Sequence, residues 1–137
     1  MHAGLYVSDL QRTIAFYTRF FGTGPVKVKP GYAKFELQSP PFVISFNECQ
    51  GHAVPPFGHL GFRVPTPEAL VAWLADARKH GLVVREEKET RCCYARQDKF
   101  WVTDPDGIHW EVYHFLEDTE VNDPEYAAGA GHACCSN

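Results

Sequence analysis

Polar and apolar residues alternate from His2 to Val7 as in a short half-buried strand. Ser8-Asp9 then supplies a helix N-cap ahead of Leu10, Ile14, Phe16, Tyr17, Phe20 and Phe21, whose spacing is helical, and Gly22 is the expected stop. Three further strands are predicted at Val26 to Lys29, Ala33 to Leu37 and Phe42 to Phe46, punctuated by Pro30-Gly31 and Ser39-Pro40-Pro41. After a Gly- and Pro-rich stretch from Gly51 to Gly58 the order begins again: a strand at His59 to Val64, a capped helix from Thr66 to about His80, and Gly81 as its stop. Strands at Leu82 to Glu86, Phe100 to Thr103 and His109 to Phe115 complete the second copy.

The repeat is legible in the letters. His2-Ala-Gly-Leu-Tyr-Val and His59-Leu-Gly-Phe-Arg-Val share one pattern 57 residues apart, and Phe35-Glu-Leu-Gln-Ser-Pro is echoed by Phe100-Trp-Val-Thr-Asp-Pro 65 residues further on. The expected architecture is α+β: two βαβββ modules, about 1–50 and 58–118, making one domain over 1–118 around a cleft. Residues 119–137 turn polar and then small, and a flexible tail is expected there.

At 137 residues and 45% hydrophobic the chain has material for one core without covalent staples. A formal charge of -4 argues against the basic footprint that nucleic-acid or anionic-membrane binding needs. No apolar run approaches the roughly 20 residues of a membrane span, and the first residues lack a signal-peptide pattern, so a cytoplasmic location is expected. Five cysteines stand at 49, 92, 93, 134 and 135, two of the three clusters being adjacent pairs. Neighbouring Cα atoms are about 3.8 Å apart, below the usual disulfide span, so free thiols are expected.

Period-two alternation sets His59, Gly61 and Arg63 on one strand face and His2, Gly4 and Tyr6 on the matching face of the other module. In the last strand His109, Glu111 and Tyr113 share a face, and a carboxylate within Ile-His-Trp-Glu-Val-Tyr is costly to bury unless paired or bound to metal. Taken singly, His2 reads as a surface residue and Glu111 as a strand-edge charge; taken as a repeat-related set, two histidines and a carboxylate make a metal site with positions left open. His109 and His114 are rival ligands, but His114 falls on the face opposite Glu111 and His109 has no partner in the repeat. Cys92-Cys93 lies in Glu89-Thr-Arg-Cys-Cys-Tyr-Ala-Arg-Gln-Asp-Lys-Phe-Trp101. Adjacent side chains act together only at a turn or loop, which Gln97-Asp98 is expected to provide. Two thiolates there chelate thiophilic species such as trivalent arsenic, cadmium or copper(I), whereas two buried small hydrophobes are the plainer reading.

The Asp104-Pro-Asp-Gly turn, the following Trp110-Glu-Val-Tyr and the histidine opening each module resemble the vicinal-oxygen-chelate superfamily of glyoxalases and extradiol dioxygenases, over nearly the whole chain to about Glu117. The resemblance implies paired βαβββ modules forming a cleft around one divalent metal held by His2, His59 and Glu111. That family often takes a fourth ligand from the last strand of the first module, where this chain has no carboxylate and Ser45 is the nearest equivalent. The departure favours a three-ligand iron(II) arrangement over a four-ligand isomerase site. Within the superfamily, Cys-Cys-Tyr-Ala followed by Trp-Val-x-Asp-Pro-Asp-Gly-x-x-Trp-Glu-Val-Tyr is similar to the ArsI-type organoarsenical carbon–arsenic lyases and the CadI-like cadmium-induced proteins. It implies a nonheme Fe(II), dioxygen-dependent lyase that releases arsenite from trivalent methyl- or aromatic arsenicals, with Cys92 and Cys93 binding the arsenic.

The contrasting expectation is a resistance protein that sequesters cadmium or arsenite on the same cysteines without turnover; a thiol transferase or isomerase is a third. Cys134-Cys135 with His132 reads as tail thiols, or as an arsenic relay. Repeat symmetry allows modules to pair within one chain or to swap between two in a homodimer.

Overall fold

In the computed structural model the described residues are 2–49, 59–92, 94–121 and 123–124, His2 by its backbone alone. They form two βαβββ modules. The first comprises β1 (His2–Val7), α1 (Leu10–Phe21), β2 (Lys27–Lys29), β3 (Tyr32–Gln38) and β4 (Pro41–Glu48); the second comprises β5 (His59–Arg63), α2 (Pro67–Lys79), β6 (Arg85–Cys92), β7 (Ala95–Thr103) and β8 (His109–Asp118). The sheets run β1-β4-β3-β2 and β5-β8-β7-β6, one order used twice. In each, the opening strand pairs in parallel with the closing strand. Each of the two compact units holds one four-stranded sheet, and residues 103–107, the turn after β7, cluster with the first.

Local chemistry explains the elements. Asp9 caps α1 by accepting the Arg12 N–H at 2.9 Å, while Glu48 of β4 accepts the Leu10 N–H at 2.9 Å, so the helix start is also tied to the sheet. Gly22 terminates α1 in the left-handed region at φ 67°, which only glycine enters without penalty. In α2 the Thr66 hydroxyl accepts the Ala69 N–H, Pro67 occupies the first turn, and Arg78 and Lys79 complement the helix dipole at its end.

In the first unit Phe16, Tyr17 and Phe20 of α1 are buried, and Tyr17 packs against Phe35 and Phe46, 4.3 Å from Phe46 between ring centroids. The fully buried Tyr17 hydroxyl donates to Asp104 Oδ2 at 2.8 Å, and the Ser8 N–H donates to Asp106, so the Asp-Pro-Asp-Gly turn is anchored at two points. In the second unit Phe62 stacks on Trp110 and also packs against Trp73 of α2, both at 5.2 Å.

Two expectations are corrected. The strand predicted at Leu82 to Glu86 begins instead at Arg85 and runs to Cys92. Leu82 belongs to the helix stop, its N–H donating to Ala77 O, and Val83 is 91% exposed. The turn expected at Gln97-Asp98 lies instead at Tyr94, which takes φ 60°; Gln97 is a buried β7 residue, and Asp98 accepts the Glu89 N–H at an irregularity in β6. Among the described residues no helix is long and apolar enough to cross a membrane.

Candidate functional site

Parallel pairing fixes what faces what. In the second module His59 registers with His109 and Gly61 with Glu111; in the first, His2 registers with Val43 and Gly4 with Ser45. Ser45 therefore occupies the place of Glu111 in the sister module, as the repeat predicted. A side chain at Gly61 would sit 3.4 Å from Glu111 Oε2, and one at Gly4 would sit 3.5 Å from Ser45 Oγ. Each glycine leaves space beside the residue opposite it.

Glu111 is buried at 7% exposure in the middle of β8. Its Oε2 faces His59 Nε2 at 3.6 Å, and its Oε1 accepts a hydrogen bond from Lys99 Nζ at 3.0 Å. The Lys99 side chain is completely buried, with Glu87 Oε2 3.7 Å from the ammonium and the Trp101 ring centroid 5.1 Å away. Trp101 packs edge-on against the His59 ring at 5.1 Å. His59 Nδ1 is buried with no hydrogen-bond partner among the described residues.

These residues fit a divalent cation. The His59–Glu111 separation is too long for a hydrogen bond. A metal at about 2.1 Å from each of two neighbouring donors holds them about 3.0 to 3.4 Å apart, close to the spacing found. Imidazole nitrogen with carboxylate oxygen suits a first-row transition metal. Among the described residues no cluster of three His, Cys, Asp or Glu side chains is assembled. His59 and Glu111 come together, while the His2 side chain lies outside the described residues. Of the rival ligands, His114 is engaged elsewhere, its Nδ1 being 3.3 Å from Val64 O, and His109 stands two register positions from Glu111, opposite His59.

Cys92 ends β6 at 1% exposure and is in a disulfide whose partner lies outside the described residues, which corrects the expectation of a free thiol there. Thiols reactive enough to grip soft ions are also the ones that oxidise. Cys49 is free and exposed; Cys93, Cys134, Cys135 and His132 fall outside the described residues. The hairpin carrying Cys92 is held by the chain that follows β8. Thr119 N–H donates to Tyr94 O, and Arg91 and Asp123 exchange two hydrogen bonds, all at 2.8 Å.

The sequence suggests Lys99 as a substrate contact or a cation beside the cysteine pair; its pairing with Glu111 is what the sequence does not reveal. A strand lysine ordinarily reads as solvent-facing, and the available signal was Glu111 itself, a buried carboxylate needing a cation.

Two βαβββ modules of one strand order, each opening on a histidine and the second closing on a strand that carries a buried carboxylate, define a duplicated α+β fold. The chain belongs to the Glyoxalase/Bleomycin resistance protein/Dioxygenase superfamily, matching it over residues 1–112. It is 43% identical over 125 residues to a trivalent organoarsenical cleaving enzyme of Bacillus sp. (strain MD1), covering 88% of this chain and 76% of that protein. It is 40% identical over 136 residues to the cadmium-induced protein CadI of Mycobacterium bovis, covering 96% and 89%. The crystal structure of a glyoxalase/bleomycin resistance protein/dioxygenase from Alicyclobacillus acidocaldarius superposes with a TM-score of 0.69 at 13% identity, covering 85% of this chain and 91% of that one.

Proposed function

We propose that this protein is a nonheme iron(II)-dependent dioxygenase that cleaves the carbon–arsenic bond of trivalent methyl- and aromatic arsenicals and releases arsenite. The observation that carries the reading is the facing pair His59 Nε2 and Glu111 Oε2 at 3.6 Å, in a chain 43% identical to an enzyme named for cleaving trivalent organoarsenicals. His59 and Glu111 would hold the iron, with His2 as the third ligand by its place in the repeat. Bound there, iron(II) supplies open positions for activating dioxygen beside the substrate.

The chain's own residues do the rest. Cys92 with Cys93 captures the trivalent arsenic as thiolates, so exchange with a dithiol reductant, which leaves as its own disulfide, frees the Cys92 thiol before binding. Burial of Cys92 at 1% exposure further requires the hairpin tip to open for the arsenical. Capture there fixes the arsenic and confines its organic substituent, so cleavage proceeds as an intramolecular step with the entropy already lost on binding. Ser45, the counterpart of Glu111 in the first module, offers no carboxylate, so the repeat supplies no fourth ligand of that type.

The test measures oxygen uptake and arsenite release by reduced, iron(II)-loaded protein given methylarsenite or phenylarsenite. Uptake matched by arsenite, abolished in His59→Ala, Glu111→Gln and Cys92→Ser, is expected. The relatedness to a cadmium-induced protein favours one other reading, sequestration of soft ions without turnover. Tight arsenical binding with no oxygen uptake, lost only in Cys92→Ser, would replace the lyase with that reading.

A further inference from the structure

Resting on the reading that His59 and Glu111 hold a divalent metal, we infer that Lys99 is a positioning residue that keeps Glu111 a one-oxygen ligand. It thereby leaves vacant a coordination position that the second carboxylate oxygen would otherwise close.

A glutamate at a divalent ion chooses between binding through one oxygen or through both. Here the two oxygens are differentiated before any ion arrives, since Oε1 takes the hydrogen bond from Lys99 Nζ at 3.0 Å and Oε2 faces His59 Nε2. The ammonium has little freedom to release Oε1. Its side chain is fully buried, Glu87 Oε2 lies 3.7 Å from it, and Trp101 presents its ring face at 5.1 Å. Turning Oε1 toward a metal would strip a buried cation of its nearest anion, and buried charges tolerate that poorly.

The sister module provides an internal control. The Phe35 and Phe100 echo places Lys34 where Lys99 stands, and Lys34 registers with Ser45, the counterpart of Glu111. With no carboxylate opposite, Lys34 is partly exposed and pairs with Glu36 of its own strand. The lysine is buried only in the module where a carboxylate faces it.

Manganese(II) reports the vacancy, because its water-proton relaxivity counts the exchangeable waters on the ion. The measurement compares Mn(II)-loaded wild type, Lys99→Met, and Lys99→Met/Glu87→Gln, in which one cation and one anion leave together so that the local net charge is unchanged and folding is protected. With three open positions on a six-coordinate ion, closing one lowers the inner-sphere contribution by about one third in both variants. Unchanged relaxivity in the folded variants overturns the role of Lys99 while leaving the metal site standing. A wild type that takes up no Mn(II), or uptake that His59→Ala does not weaken, overturns the metal reading itself and this inference with it.

Discussion

Replacing Glu111 by glutamine keeps the side chain's shape and removes its charge, and the metal-free protein should feel it first. Lys99 then has Glu87 at 3.7 Å in place of two carboxylates, in a setting where its side chain is wholly buried. Breaking a buried ion pair costs about 3 to 5 kcal/mol when nothing replaces the lost partner. Glu87 remains and the glutamine carbonyl still accepts a hydrogen bond, so about 2 to 3 kcal/mol is the expected loss. With an unfolding entropy of about 2.1 cal/mol/K per residue over 137 residues, each kcal/mol moves the midpoint by about 3.5 °C. Glu111→Gln should therefore melt about 7 to 10 °C below wild type in differential scanning calorimetry with chelator present. Added Mn(II) or Co(II) at about a hundred times its dissociation constant should raise the wild-type midpoint by a further 9 °C or so, the equivalent of about 2.7 kcal/mol, and leave the variant unmoved. A metal-free variant within 2 °C of wild type would refute the charge pairing, and a variant whose midpoint metal still raises would refute Glu111 as a ligand.

Other parts of the structure give independent expectations. Tyr17→Phe removes a buried 2.8 Å hydrogen bond to the Asp104 carboxylate and should cost about 1.5 to 3 kcal/mol by urea denaturation; a cost below about 0.5 kcal/mol would mean the turn is held otherwise. Asp123→Ala frees the Arg91 N–H, so exchange of that amide should accelerate about tenfold in hydrogen–deuterium exchange, while amides of α1 stay unchanged. Hydrogen bonding from Arg78 at 2.9 Å, helped by Lys88, holds the Glu86 carboxyl below its ordinary range. A depressed carboxyl contributes stability above its unfolded pKa of about 4.3 and loses that contribution as pH falls through its folded value. Arg78→Gln should thus melt up to about 3 °C lower than wild type at pH 7, a ceiling set by the roughly 1 kcal/mol worth of a solvent-exposed pair, and the difference should shrink as pH falls below the unfolded carboxyl's pKa of about 4.3. A gap that persists in acid would point to lost packing of the Arg78 stem.

How much of this was readable beforehand depends on which force writes each element. β1, α1, β4, α2 and β8 are set by burial, and burial leaves periodicity and caps in the sequence; Asp9, Gly22 and Thr66 all act where the pattern put them. β6 is different. It is an edge strand reading Arg-Glu-Glu-Lys-Glu-Thr-Arg-Cys, largely exposed, so its pairing with β7 leaves no hydrophobic alternation to find. The polar Gln97-Asp98 mimics turn chemistry while lying inside β7, and the actual turn beside Tyr94 uses a left-handed tyrosine that no composition rule favours. His59 is marked by the repeat and Glu111 by the apolar strand around it; the pairing of Lys99 with Glu111 is not readable, because the sheet and not sequence distance selects that partner.

That contrast shows how a duplicated module acquires an asymmetric site. Both copies keep the opening histidine, the glycine two residues later, and the lysine on the third strand. The closing strands differ where they face these residues: Val43 against His109, and Ser45 against Glu111. A serine satisfies itself with a hydroxyl, so Lys34 stays near the surface with Glu36. A glutamate in the same place carries a charge that must be compensated, and the compensation draws Lys99 into full burial and leaves one oxygen toward His59. The substitution thus does more than add a carboxylate: it fixes which of its oxygens is taken by a buried ammonium and which faces His59, in one module only.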